Sequence, residues 1–441
     1  MAKGRTRPGD PRRRSLAITL SALVVVLGAC DWAVFRSDPA HTGSSADTSI
    51  SADALRSGGL HLDWTAAAGS AVVSSPAVAG GVVYVGSGDG DLYAFDANGT
   101  QRCSGMPKSC KPLWRGLAPG IISYASPAVV DAVVYIASAA GLLYAFDAQG
   151  TNGCGGSPRV CFALWTASLG NQGGHNIFSS PTVANGVVYI GSNDNRLYAF
   201  DAAGTTNCGG SPKTCEPLWT APTAGAPNDS PAVANGAVFV GTGTKLYAFD
   251  AAGTTGCSGL PRTCAPLWTA ALNSLPGTSS PAVAGGTVYI GSANGSLYAF
   301  DAAGATNCQG TPTTCRPLWR GASNDYIFSS PAVADGVVYA ASYDGYLRAY
   351  DASGTTNCSG TPKICKRLWR AYNGNTNSSP AVANGVMYLG GHDGQTLKAF
   401  DTSGNELWTT ILGGWVDSSP AVANGSVYVG AADGNVYAFR L

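Results

Sequence analysis

The chain has 441 residues, 12% of them charged, with 59 glycines, 13 cysteines and 10 tryptophans. That is about half the charge of a usual soluble domain, a balance that fits short strands and tight turns. Formal net charge is zero, but the first 29 residues hold six of the 26 basic and one of the 26 acidic side chains, so the remainder carries 20 against 25. That excludes a basic face for nucleic acid.

In chain order, Lys3, Arg5, Arg7, Arg12, Arg13 and Arg14 precede an apolar run over residues 16–27, the pattern of an export signal. Twelve residues are too few to span a bilayer comfortably. The run ends Leu27-Gly28-Ala29-Cys30, which resembles a lipobox, where cleavage precedes a diacylated cysteine. The expectation is a lipoprotein signal peptide over residues 1–29, lipid attachment at Cys30 and a lipid-anchored lead-in over 30–59. The protein would then sit on a cell membrane, facing the periplasm or cell exterior. The alternative is an ordinary signal cleaved near Ala29, with Cys30 incidental; the arginine run resembles a twin-arginine signal only loosely. Parity favours lipidation: twelve cysteines form six regular pairs and leave Cys30 alone.

Eight units then repeat Ser-Pro-Ala-Val, Val-Tyr-x-Gly, Leu-Tyr-Ala-Phe-Asp and Leu-Trp with modest variation. Their prolines, Pro76, Pro127, Pro181, Pro231, Pro281, Pro331, Pro380 and Pro420, lie 49 to 54 residues apart, except for a last interval of 40. Each unit reads as four short strands separated by Gly-Gly, Gly-Asp-Gly and a longer loop, which is a propeller blade. Trp64 precedes the first unit, seven units end in tryptophan, and the last stops without one. The prediction is an all-β, eight-bladed propeller of four-stranded antiparallel blades over residues 60–441. Its ring is closed by an N-terminal strand, near residues 60–66, that completes the last blade.

Residues 399–408, Ala-Phe-Asp-Thr-Ser-Gly-Asn-Glu-Leu-Trp, resemble the pyrroloquinoline quinone (PQQ) type propeller repeat, and the other units match its Gly-x-Val-Tyr-x-Gly and Tyr-Ala-Phe-Asp parts. Residues 31–43 are similar to the lead-in of PQQ-repeat proteins. Composition reads this segment as a tether; the resemblance implies that part of it lies against the propeller, with a looser Ser-rich stretch following. One branch of the family, the quinoprotein dehydrogenases, implies an adjacent Cys-Cys pair, calcium held by Glu, Asn and Asp, and often a haem site. This chain has no adjacent cysteines, no Cys-x-x-Cys-His and only Glu216 and Glu406, so PQQ and calcium are unsupported as cofactors. The other branch is the lipid-anchored outer-membrane protein assembly factor B, which has no cofactor. The lipobox and blade count agree with it, whereas the cysteine loops depart from its compact repeats.

Six units carry Cys-x6-Cys before the Leu-Trp strand: Cys103 with Cys110, Cys154 with Cys161, Cys208 with Cys215, Cys257 with Cys264, Cys308 with Cys315, and Cys358 with Cys365. Local disulfides are expected, each contributing about 2–3 kcal/mol by loop entropy, on the oxidising side of a membrane. Zinc is the rival, but each pair offers two thiolates without neighbouring histidines. Alternating strand direction puts these loops on the face of the Ala-Asn-Gly turns. A binding site is therefore sought on the opposite face.

Residues repeated across most blades point to structural tasks. Asp96, Asp147, Asp201, Asp250, Asp301, Asp351 and Asp401 suit Asx turns, and the tryptophans suit packing between blades. Asp89, Asp194, Asp344, His392 with Asp393, and Asp433 suit ordinary hairpin turns. Breaks in the repeat on the candidate face are the better sites: Tyr124, His175, Asn176, Asn228, Asp229, Asp325, Tyr326, Asn377, Trp415 and Asp417. Asp229 replaces a usual serine. The functional expectation is a non-enzymatic, membrane-anchored, monomeric binding or scaffold protein for a protein or cell-envelope glycan, without catalytic or metal-binding residues. The alternative is a PQQ- and calcium-dependent dehydrogenase with Asp229 or Asp325 as base. Glycan hydrolysis would need two carboxylates at a suitable separation, and no motif favours it.

Overall fold

The β-branched and aromatic runs of each repeat become strands A to D of a blade, in blade 1 Ala77–Ala79, Val82–Gly86, Asp91–Asp96 and Trp114–Leu117. The computed structural model describes Met1 and residues 31–170, 177–242, 244–272 and 279–441. Strands A and B are joined by tight turns such as Asn185-Gly186, with φ of 51° and 76°, the positive pair a type I′ hairpin demands. Eight such sheets close into the expected ring. At the seam, His61–Ala67 pairs antiparallel with Asn435–Arg440, placing Trp64 opposite Ala438.

Neighbouring blades are stitched by their aromatic repeat residues. Tyr84 Oη and Trp114 Nε1 of blade 1 both donate to the Ala148 carbonyl of blade 2, at 2.9 and 3.2 Å. Tyr428 and Trp64 of the composite blade 8 donate in the same way to Ala97 of blade 1, both at 3.1 Å, so the seam is bonded like any other joint. The tryptophan also explains a repeat glycine. A Cβ on Gly150, at φ +65°, would lie 2.2 Å from Trp114 Cδ1, so only glycine fits there. The repeated aspartates form the expected Asx turns: Asp96 Oδ2 accepts from Thr100 N, Thr100 Oγ1 and Gln101 N at 2.7, 2.8 and 2.6 Å. Burial opposes ionisation of Asp96, but these donors outweigh it and hold the carboxyl below its usual range.

Around the axis, the serine preceding each repeat proline bonds to the next blade. Ser75 N donates to Ser126 Oγ at 2.9 Å, Ser126 N to Ser180 Oγ at 2.9 Å, and so on until Ser419 N returns to Ser75 Oγ at 2.9 Å. Eight backbone donors are thus satisfied in one closed circuit.

The blades differ from the expected four strands, because the cysteine loops are more than local pins. Each disulfide joins its predicted pair, with Cα atoms 3.9–4.0 Å apart. Each loop folds into a two-stranded ribbon that leaves its own blade and adds in parallel to strand D of the preceding one, as Val160 and Cys161 add to Arg115 and Gly116. Blades 1 to 5 and blade 8 therefore become six-stranded. The ribbons are clasps between blades, lying on the rim of the ring. The seventh repeat lacks the loop and the eighth is split there by the chain termini, so blades 6 and 7 carry no clasp and have four and five strands.

The lead-in is bound throughout. Strand A of each blade would leave N–H groups facing the axis, and they donate to lead-in carbonyls: Val78 N to Trp32 O at 2.8 Å, Val129 N to Ala33 O at 2.7 Å, Val233 N to Pro39 O at 2.6 Å, Val283 N to Ala40 O at 2.8 Å, Val333 N to Thr42 O at 2.7 Å and Val382 N to Gly43 O at 2.8 Å. His41 Nε2 meets Thr182 Oγ1 at 3.0 Å and Gly425 N donates to Asp47 at 2.7 Å, so all eight blades are touched. The Ser-rich stretch expected to be loose instead contributes Ser44–Ser45 as a parallel strand of blade 7 and caps helix Ala52–Ser57 through Ser51. Burial lowers the Arg36 guanidinium to about 9 against the pull of Asp38. Burial and the nearby Arg36 charge lower His41 to about 3, so its imidazole is neutral.

Candidate functional site

On the face of the D–A connections and B–C turns, one described side chain from each of seven blades occupies the position three residues before the repeat proline of strand A. Val73, Tyr124, Phe178, Asn228, Phe328, Asn377 and Asp417 line an axial cavity of about 60 Å³ whose lower wall is the serine ring and the tip of Phe35. Tyr124 and Phe178 pack with ring centroids 5.5 Å apart. Burial, then the charge of Asp417, pushes the Tyr124 phenol above its ordinary value, so it is a neutral donor.

At the mouth, Asp417 Oδ1 lies 3.0 Å from His392 Nδ1, and the His392 ring stacks on Trp415 at 5.1 Å and 10°. Trp415 remains 48% exposed. His392 N donates to Asn375 O at 2.8 Å and Val416 N to Gly391 O at 3.3 Å, so the B–C turn of blade 7 is tied to the loop entering blade 8. His392, expected to serve as ordinary turn chemistry, joins the candidate site. On the neighbouring blade 6, Tyr326 packs on Phe328 at 5.3 Å, and Phe328 lies 6.1 Å from Tyr343.

The predicted residues thus divide. Tyr124, Asn228, Asn377 and Asp417 line the cavity; Trp415 and Tyr326 form its aromatic surround. Asp325 bonds locally, its Oδ1 accepting from Tyr326 N at 2.8 Å, and does not line the cavity. Asp229 turns inward, with 3% exposure. It replaces the serine whose hydroxyl, in blade 1, accepts from Gly86 N at 3.0 Å, and burial drives its carboxyl far above the ordinary range. Its Oδ1 has no hydrogen-bond partner, and the side chain sits within the blade, outside the cavity lining. His175, Asn176 and Cys30 lie outside the described residues. Sequence reasoning passed over Phe178, Phe328, Val73 and Phe35, all apolar; the signal that finds the first three is their shared place in the repeat.

The arrangement can hold a flat or amide-bearing group by stacking and hydrogen bonding. Among the described residues no three His, Cys, Asp or Glu side chains gather as metal ligands. Wider crevices of about 730, 660 and 420 Å³ lie on the rim beside the clasps added to blades 3, 5 and 1. Their recurrence follows from the clasp geometry, which sets them apart from the singular axial site.

Closed ring, repeated inter-blade tryptophans and a varied axial face define a PQQ-type repeat propeller. The chain belongs to the family of outer membrane protein assembly factor BamB, whose repeat model matches residues 55–256, 260–357 and 363–440. Among solved structures it is similar to BamB from Moraxella catarrhalis, with TM-score 0.61 and 17% identity over 87% of this chain and 100% of that one. It is also similar to the quinohemoprotein alcohol dehydrogenase from Comamonas testosteroni, with TM-score 0.69 and 16% identity over 93% and 80%, and to the computationally designed Ika8 protein, with TM-score 0.60 and 15% identity over 86% and 99%. At such identities the likeness is one of fold. No curated protein matches the sequence.

Proposed function

We propose that this protein is a non-enzymatic binding scaffold, anchored through a lipid on Cys30 to the outer side of a cell membrane, that presents its axial face to a protein partner. The BamB family supports a scaffold within a protein complex. The observation that carries the reading is the axial site itself: its cavity of about 60 Å³ is far below the roughly 300 Å³ at which ordinary small-molecule pockets begin. Stacked aromatics and amides at its mouth suit a protruding side chain or loop. The propeller acts as one monomeric body, and the basic run followed by residues 16–27 supports export with cleavage before Cys30.

A quinone with calcium does not fit these residues. The axial cavity is too small for a tricyclic cofactor, Asp229 is buried in its blade with its carboxyl pushed upward by that burial, and the two glutamates lie on the clasp side of strand D. The dehydrogenase neighbours share the fold, and no step through that cofactor is derived. Calorimetric titration of the purified protein with PQQ and calcium checks this: no saturable heat is expected. Stoichiometric binding with alcohol-dependent dye reduction would contradict the scaffold reading.

A further inference from the structure

Six clasps cover the outer strands of blades 1 to 5 and 8, and they define how a strand is received there. Each runs parallel to strand D, and the N–H of the residue after the tryptophan donates to it: Arg115 N to Arg159 O at 3.1 Å, Thr220 N to Arg262 O at 3.0 Å, Arg320 N to Lys363 O at 3.1 Å. Strand D of blade 6, Trp369–Tyr372, repeats the Trp-Arg pattern of blades 1 and 5, yet no described strand pairs with its outer edge.

That edge is built differently from the covered ones. The six clasped strands end in Ala67, Leu117, Ser168, Pro222, Ala271 or Ala322. The two unclasped strands end in Tyr372 and Ile411, which are 62% and 76% exposed. The tryptophans of clasped strands are at most 3% exposed, whereas Trp369 and Trp408 are only half-buried. At blade 7 the segment through helix Ala52–Ser57 partly covers Trp408, with Gly59 against its ring. Blade 6 is therefore the open position, and an uncovered apolar edge is a template for another strand.

Charge indicates what would cover it. Lys366, Arg367 and Arg370 are exposed along this edge, and no ion pair among the described residues engages them. The Arg370 guanidinium lies 4.4 Å over the Tyr346 ring, which also meets Tyr372 at 5.4 Å. Two copies of so cationic an edge would repel one another. We propose that strand Trp369–Tyr372 is an acceptor site for an extended, acidic segment of a partner protein, which adds in parallel in the manner of a clasp. This surface is separate from the axial site, and its test does not depend on that reading.

The probe is the oxidised clasp peptide of residues 357–366 carrying Lys363→Glu and Lys366→Glu, fluorescently labelled and titrated with the whole protein. Saturable binding is expected, weakened at least tenfold by Arg370→Glu and lost with Arg370→Pro, which removes the outward N–H at an edge position proline tolerates. Hydrogen exchange at the Arg370 amide should slow when the peptide is added, and Tyr124→Ala should leave binding unchanged; thermal melts of each variant verify folding. Absence of saturation at millimolar peptide would overturn the proposal, as would equal affinity for the unmodified lysine peptide. A dimer of the protein alone that Arg370→Glu dissociates would also overturn it, assigning the edge to a second copy.

Discussion

Asp229 shows what one repeat position decides. Seven blades place a serine or alanine there, and the serine hydroxyl accepts a strand B amide where it is present, as Ser179 does from Gly191 N at 3.0 Å. An acid whose folded pKa is raised contributes stability below its unfolded value near pH 3.9 and loses it as pH rises towards the folded value. Asp229→Ser should therefore stabilise by roughly 1–3 kcal/mol at pH 8, with a distinctly smaller gain at pH 4; thermal melts at the two values measure the difference. The Asx-turn aspartates run the other way, their donors holding the carboxyls low. At this scale the site was half legible. Asn228, Asn377 and Asp417 stood out as polar breaks, whereas the apolar Phe178 and Phe328 drew no notice, although their place before Ser-Ser-Pro sets them around the axis. His392 needed the tertiary bond to Asp417, which no local pattern announces.

Among the elements, the clasps carry the main departure from the sequence reading. The Cys-x6-Cys spacing specifies a local disulfide, and that is present; it says nothing about which strand the resulting ribbon meets. The parallel partner lies in the previous blade, 48 residues away for Thr214 and Cys215 against Thr166 and Ala167. The lead-in was likewise legible as a segment and illegible as a plug, because the strand A amides that attract its carbonyls exist only once the ring is closed. Opening one clasp with Cys154→Ser and Cys161→Ser removes about 2–3 kcal/mol of chain constraint. Exchange of the Arg115 amide, which donates to that clasp, should accelerate by on the order of 10²-fold, while the Arg370 amide of clasp-free blade 6 stays unchanged. Equal protection of Arg115 in the variant would mean the ribbon holds without its disulfide.

At the scale of the whole molecule, four devices close one ring: the split blade, the inter-blade aromatic bonds, the serine circuit and the rim clasps. A fifth, the lead-in, seals the axis from the clasp side, which leaves the opposite face as the open end of the channel among the described residues. Blade number and seam could be read from the spacing of Pro76 to Pro420 and from the displaced Trp64, since each repeat cannot bury its faces without its neighbours. What binds the open end could not be read, because it depends on shape at the mouth. The central claim, that this face holds a protein partner, is tested most directly by placing a photo-crosslinking residue at Trp415 and, as a control, at Ser353 on the clasp face, in the membrane-bound protein in living cells. A discrete crosslinked protein band from position 415 that is absent from position 353 is the predicted result. The same products from both positions, or none from 415, would contradict it.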